Sequence, residues 1–165
     1  MKIELLVLDV DGCMTDGKIT YTSSGEELKS FNVKDGLAIA SWIRFGKKVA
    51  IITGRKSNIV QKRAEELGIS HIYQNIKDKK SKLEEILKIE NLCLNQVAGI
   101  GDDLNDYTML KSVAHSFTPQ DGTDIIKNIV DTVLEKNGGA GAIRQMIDII
   151  IDKNREREEF NKLWF

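Results

Sequence analysis

"LLVLDVDGCMTDG" runs from Leu5 to Gly17 and places three aspartates, Asp9, Asp11 and Asp16, directly after a greasy segment. The apolar run from Ile3 to Leu8 has the length and character of a buried strand. Carboxylates repel one another and resist burial, so their crowding at the end of such a strand demands a reason. Strand alternation sends Asp9 and Asp11 the same way. Asp16 lies past a turn and reads as support for the loop.

Outward from this stretch, segments alternate. Strands are predicted at Lys48–Ile52, Ser70–Tyr73, Gln96–Ile100, Ala114–Phe117 and Asp131–Leu134. Between them, helical spacing predicts Leu37–Phe45, closed by Gly46, and Ser57–Leu67, stopped by Gly68. Further helices are expected at Ser81–Ile89, Leu104–Lys111 and Gly141–Asp152, with Ile125–Asn128 completing the pattern. Strands alternating with helices predict an α/β fold, a doubly wound parallel sheet covered on both faces. Lys18–Tyr21 and Glu27–Phe31, around "TSSGE", predict a small β-hairpin over residues 18–31. With 165 residues and no linker or repeat, a single domain over residues 1–165 is expected. The tail, residues 153–165, breaks the pattern: it is charged and then carries Phe160, Leu163, Trp164 and Phe165. It either folds back on its own core or docks on another subunit.

Hydrophobic residues make 41% of the chain and charged residues 30%, the balance of a soluble globular protein. A net charge of -1 implies no bulk attraction to nucleic acid or membrane, and no apolar run is long enough to span a bilayer. No signal-peptide pattern is seen. Cys13 and Cys93 lack metal-ligand spacing and read as reduced thiols in a cytoplasmic protein.

In doubly wound sheets, ligands sit beyond the carboxyl ends of the strands. Asp9 and Asp11 lie at such an end, as do Thr53, after "VAII", and Asp102, after "VAGIG". One such aspartate is an ordinary cap; three strands delivering polar groups to one edge are not explained by capping. Clustered carboxylates call for a hard cation with oxygen ligands, and Mg²⁺ is the natural partner. Asp9, Asp102 and the backbone carbonyl of Asp11 would supply the set. Lys79 adds a second positive charge, and Thr53 with the N–H groups after it can hold phosphate oxygens.

"DVDGCMTDG", "ITGR", the lysine of "IKDKKSK" and "GDDLND" occur in that order. Together they resemble the four motifs of the haloacid dehalogenase superfamily. "FNVKDG", "ITGRKS", "YQNIKDK" and "NGGAGAIRQ" sharpen the resemblance to its small capless branch. That branch contains 3-deoxy-D-manno-octulosonate 8-phosphate phosphatases and nonulosonate 9-phosphate phosphatases. The resemblance implies a Rossmann-like core and a Mg²⁺-dependent sugar-acid phosphatase. Asp9 would be the nucleophile, forming an aspartyl-phosphate, and Asp11 the general acid and then base. Thr53 and Lys79 would hold the transferring phosphoryl group, and Asp9, Asp11 and Asp102 the metal. Asp103 and Asp106 would orient the metal waters and Lys79. The family's substrate loop falls on Asn32, Val33, Lys34, Asp35 and Gly36. Gly54, Arg55 and Arg63 match further substrate-binding positions. A homotetramer with neighbouring hairpins closing each site is also implied.

Spacing independently excludes a lid domain: neither the gap from Asp11 to Thr53 nor that from Lys79 to Asp102 can house one. The chain departs from the family at Ala40, where arginine is common. That loss leaves the substrate open between the two sugar-acid classes. A non-catalytic module would be expected to lose the nucleophile, lysine or metal carboxylate, and a response-regulator-like acceptor orders these residues differently. His71 and His115 read as structural or surface residues and Cys13 as a small filler. "NGGAGAIR" lacks the pattern of a phosphate or dinucleotide loop.

Overall fold

Leu5–Leu8 forms β1, the strand from which the sheet is built outward on both sides. The computed structural model describes all residues, Met1–Phe165. After β1 come β2 (Thr20–Tyr21), β3 (Glu27–Leu28), α1 (Val33–Arg44), β4 (Lys48–Ile52), α2 (Asn58–Glu66) and β5 (His71–Tyr73). Then follow α3 (Lys79–Glu90), β6 (Val97–Ile100), α4 (Tyr107–Leu110), β7 (His115–Thr118) and α5 (Asp124–Lys127). The chain closes with β8 (Thr132–Val133), α6 (Ala142–Lys153) and α7 (Arg157–Asn161). The six-stranded sheet has the order β5-β4-β1-β6-β7-β8, every pair parallel. Leu6 of β1 stands opposite Val49 on one side and Ala98 on the other.

Alternation along β1 divides the core. Leu6 and Leu8 enter a cluster with Ile39, Trp42, Met146 and Ile150, from α1 and α6. Leu5 and Val7 enter a second cluster with Leu83, Ile86 and Met109, from α3 and α4. Burying both faces requires a continuous apolar strand, as "LLVL" is. The doubly wound α/β fold follows, with no cap domain; the hairpin is the only strand pair outside the main sheet.

Several boundaries differ from the sequence reading. β1 begins at Leu5 because the Ile3 N–H is taken by the Asn154 side chain, at 2.9 Å. The hairpin pairs only Thr20 with Leu28 and Tyr21 with Glu27, so most of residues 18–31 is irregular. α1 starts at Val33, not Leu37: the Asn32 side chain accepts from the N–H groups of Lys34 and Asp35, and this cap turns "VKDG" into the first helical turn. Leu104–Lys111 is not one helix. A 3-10 turn, Leu104–Asp106, precedes α4 because the Asp106 carboxylate folds back to the N–H groups of Asp102 and Asp103.

The tail folds back on its own core through Phe160 and Leu163 and leaves its last two residues exposed. Arg155, at φ 58°, breaks the chain away from α6. α7 then buries Phe160, edge-on to Phe45 at 5.4 Å, with Leu163 packed on the same core. Trp164 lies under the Arg44 guanidinium at 5.6 Å but is half exposed, and Phe165 is 90% exposed. No helix is long and apolar enough to cross a membrane.

Candidate active site

The carboxyl ends of β1, β4 and β6 converge on a cleft of about 250 Å³. Asp9, Asp11, Thr53, Gly54, Arg55, Asp102 and Asp103 line it, joined by Gly17 and Asn105, and none of these is apolar. Asp9 continues β1, its N–H donating to the Ile100 carbonyl of β6 at 3.2 Å. Beyond it the chain turns back: the N–H groups of Cys13, Met14 and Thr15 all reach the Val10 carbonyl. Gly12 is essential to this turn. It sits at φ 94°, and a Cβ there would overlap the Asp102 carboxylate. Gly138 and Gly139 pack their backbones against the turn from behind, where a Cβ would collide with the Gly12 carbonyl or the Asp16 N–H. "NGGAG" is thus the buttress of the Asp9–Asp11 loop and not a phosphate loop.

Lys79, first residue of α3, is completely buried. Its Nζ donates to Asp9 Oδ1 at 2.6 Å and to Asp106 Oδ1 at 2.5 Å. The remaining Asp106 oxygen, Oδ2, accepts from the Asp102 N–H at 3.1 Å. Asp106 therefore ties the lysine to the loop bearing Asp102. Gly101 permits this, since a Cβ there would overlap Asp106. Asp103 is exposed, and its carboxylate caps the 3-10 turn through the Leu104 N–H, at 2.7 Å.

Burial and the neighbouring Asp106 charge push Asp9 up to about 8, Lys79 opposing them. Burial and Asp106 likewise push Asp102 up to about 7. Burial works against the Lys79 charge, but Asp9 and Asp106 outweigh it and raise the ammonium above its ordinary value. Three carboxylates around one lysine leave negative charge uncompensated. Oxygens of Asp9 and Asp102 lie within 4.8 Å of one another. A buried Asp9 beside a half-buried Asp102 fits a hard divalent cation, and the bare glycine edge at Gly12 keeps the space beside Asp102 clear. The Cys13 sulfur shares this corner, but burial, then the Asp9, Asp102 and Asp106 charges, push its thiol up, so it behaves as the expected buried filler.

Other expected site residues lie elsewhere. Asn32, Asp35, Gly36 and Arg63 gather in a second, tightly filled cleft with Phe31 and Met14. Within the expected substrate loop, the Asp35 carboxylate is buried and its Oδ1 accepts the Arg144 N–H of α6 at 2.8 Å. Burial pushes its carboxyl up against the N–H groups of Arg144 and Gly141, and Oδ2 has no partner. Gly36 makes room for Arg63, which would overlap a Cβ there and lies 5.8 Å from the Phe31 ring. Val33 and Lys34 are exposed on the first turn of α1. A larger cleft, about 600 Å³, opens at the far edge near Lys2, Asn95, His115 and Lys153, remote from the strand ends that carry Asp9, Thr53 and Asp102.

Sequence reasoning missed Lys29. Its side chain is 1% exposed and its Nζ lies 2.5 Å from Asp11 Oδ1. Glu27, also missed, pairs with Lys29 at 3.5 Å and with Arg55 at 3.1 Å. The two are spaced by two residues at the end of β3, so strand alternation was the available signal.

A family model described as haloacid dehalogenase-like hydrolase matches residues 68–147. The 3-deoxy-D-manno-octulosonate 8-phosphate phosphatase of Yersinia pestis is 42% identical over 149 residues, covering 90% of this chain and 80% of that protein. The solved Moraxella catarrhalis enzyme of the same name, in complex with magnesium, phosphate and KDO, superposes with a TM-score of 0.94 at 37% identity. That match covers 99% of this chain and 94% of the other. A cobalt-bound Haemophilus influenzae phosphatase of this name gives 0.89 at 36% identity, over 93% and 90% of the two chains. With the Asp9–Asp11 loop and the acidic loop of Asp102 lining one cleft and the buried Lys79 bonded to Asp9, the chain belongs to the haloacid dehalogenase-like hydrolases and, within them, to the 3-deoxy-D-manno-octulosonate 8-phosphate phosphatase family of phosphoric monoester hydrolases.

Proposed function

We propose that this chain hydrolyses 3-deoxy-D-manno-octulosonate 8-phosphate to the free sugar acid and phosphate, with Mg²⁺, through a phosphorylated Asp9. The observation that carries the reading is the Lys79 contact. Lys79 holds Asp9 Oδ1, which leaves Oδ2 as the oxygen that attacks phosphorus. Asp11, two residues on, faces the same cleft. It gives a proton to the departing sugar alkoxide, then takes one from the water that attacks the acyl-phosphate. Thr53 and the N–H groups of the Gly54–Arg55 turn receive the phosphoryl oxygens. Asp9, Asp102 and the Asp11 carbonyl would hold the metal, with Asp103 and Asp106 supporting them. When bound, Mg²⁺ neutralises the carboxylates and reduces repulsion between nucleophile and phosphate.

Arg55, lining the cleft, would meet the anionic sugar. Asn32, Val33, Lys34, Asp35, Gly36 and Arg63 lie on the first turn of α1 and against it. We assign the exposed part of this turn, Val33 and Lys34, to a neighbouring copy's site in a homotetramer, with Asn32, Asp35, Gly36 and Arg63 shaping it from beneath. The apolar surfaces of Tyr21, Leu28 and Val33, left exposed, support such an assembly.

Ala40 favours keeping a second substrate class open, the nonulosonate 9-phosphates. Phosphate release from each substrate at equal concentration, with and without EDTA, separates them. Faster turnover of the octulosonate ester, abolished by EDTA, is expected. Faster turnover of the nonulosonate ester would move the assignment to the second class, and undiminished turnover in EDTA would remove the metal.

A further inference from the structure

Four charged side chains close a ring above the cleft. Lys29 Nζ lies 2.5 Å from Asp11 Oδ1, and Arg55 Nε lies 3.9 Å from Asp11 Oδ2. Arg55 Nη2 reaches Glu27 Oε1 at 3.1 Å, and Lys29 returns to the same Glu27 oxygen at 3.5 Å. Charges alternate around the ring, and its net charge is zero. It joins three segments: the hairpin (Glu27, Lys29), the loop after β1 (Asp11) and the turn after β4 (Arg55). The Lys29 side chain is 1% exposed, whereas the adjacent Leu28 is 52% exposed. A lysine is rarely buried without a partner of this kind.

We propose that Lys29 is a positioning residue for the reaction: it holds the Asp11 carboxyl by Oδ1, so that Oδ2 carries the proton to the leaving group, and by the same bond it seats the hairpin over the cleft. The proposal rests on the reading of Asp11 as the acid–base residue. Lys29 bonds Asp11 directly and acts through it. In the step concerned, Asp9 Oδ2 forms a bond to phosphorus while the phosphorus–alkoxide bond breaks. The electron pair stays on the alkoxide, which takes the Asp11 proton. A substrate whose leaving group is weakly basic, such as p-nitrophenyl phosphate, departs without that proton.

This difference gives the test. kcat/KM is measured for the sugar-acid phosphate and for p-nitrophenyl phosphate with Lys29→Met, Lys29→Arg and Asp11→Asn, Mg²⁺ present throughout. Loss of a positioned general acid costs on the order of 10²-fold. Lys29→Met is expected to lose about that on the sugar-acid phosphate and little on p-nitrophenyl phosphate, with Lys29→Arg recovering most of the loss. Asp11→Asn should show the same selectivity, more strongly. Equal losses on both substrates for Lys29→Met, with Asp11→Asn selective, would make Lys29 merely structural and overturn the proposal. Equal losses for Asp11→Asn would remove the acid–base reading and the proposal with it. If Lys29→Met does not fold, Glu27→Gln weakens the ring at the corner opposite Asp11. Selective loss there supports the proposal, and equal loss or none overturns it.

Discussion

Asp9 and Asp106 share one lysine with Asp102 close by, and this imbalance governs how the site responds to pH. The folded Asp9 and Asp102 carboxyls are pushed up to about 8 and about 7, above an ordinary value of 3.8. Between those limits the folded chain holds more protons than the unfolded one, so stability falls as pH rises. Metal-free protein is therefore expected to melt at a lower temperature at pH ~8 than at pH ~5, with Mg²⁺ raising the melting point more at the higher pH. Differential scanning fluorimetry at both values, with EDTA or Mg²⁺, checks this; an equal Mg²⁺ increment at both would contradict it. Asp9, Asp11, Thr53, Lys79 and Asp102 were legible in the sequence because polar residues at the ends of buried strands stand out. The surroundings of Asp35 were not legible, because its motif is also the start of a helix, where its carboxylate meets the Arg144 N–H of α6. Lys29 was hidden because a lysine on a hairpin reads as solvated until its partner is known.

At the scale of the element, the strands were the most legible feature. "LLVL", "KVAII" and "VAGI" are buried on both faces and leave little choice. Helix ends were harder, because side-chain caps decide them: Asn32 extends α1 by a turn, and Asp78 starts α3 at Lys79 by accepting from the Ser81 N–H. That last cap starts the helix at the lysine whose Nζ meets Asp9 and Asp106. The tail shows the same mixture. Phe160 belongs to the core and should carry the stability of α7, whereas Trp164 and Phe165 should carry little. Phe160→Ala is expected to cost about 3 kcal/mol, and removal of the last two residues under about 1 kcal/mol. Urea unfolding of both variants measures this, and the opposite ranking would contradict the packing.

The whole molecule places its chemistry at one edge of a rigid parallel sheet and leaves apolar surface on the hairpin and α1. A chain without a lid domain has few ways to shield the proposed acyl-phosphate from water. The hairpin is the one extra element available, and neighbouring copies would complete the cover. A homotetramer is expected by size-exclusion chromatography with light scattering, and a fully active monomer would contradict it. The central claim is tested most directly by phosphate release from 3-deoxy-D-manno-octulosonate 8-phosphate with Mg²⁺, wild type beside Asp9→Asn. The account predicts steady turnover by the wild type and a loss of at least about a thousandfold in the variant; an Asp9→Asn enzyme that releases phosphate at nearly the wild-type rate would contradict it.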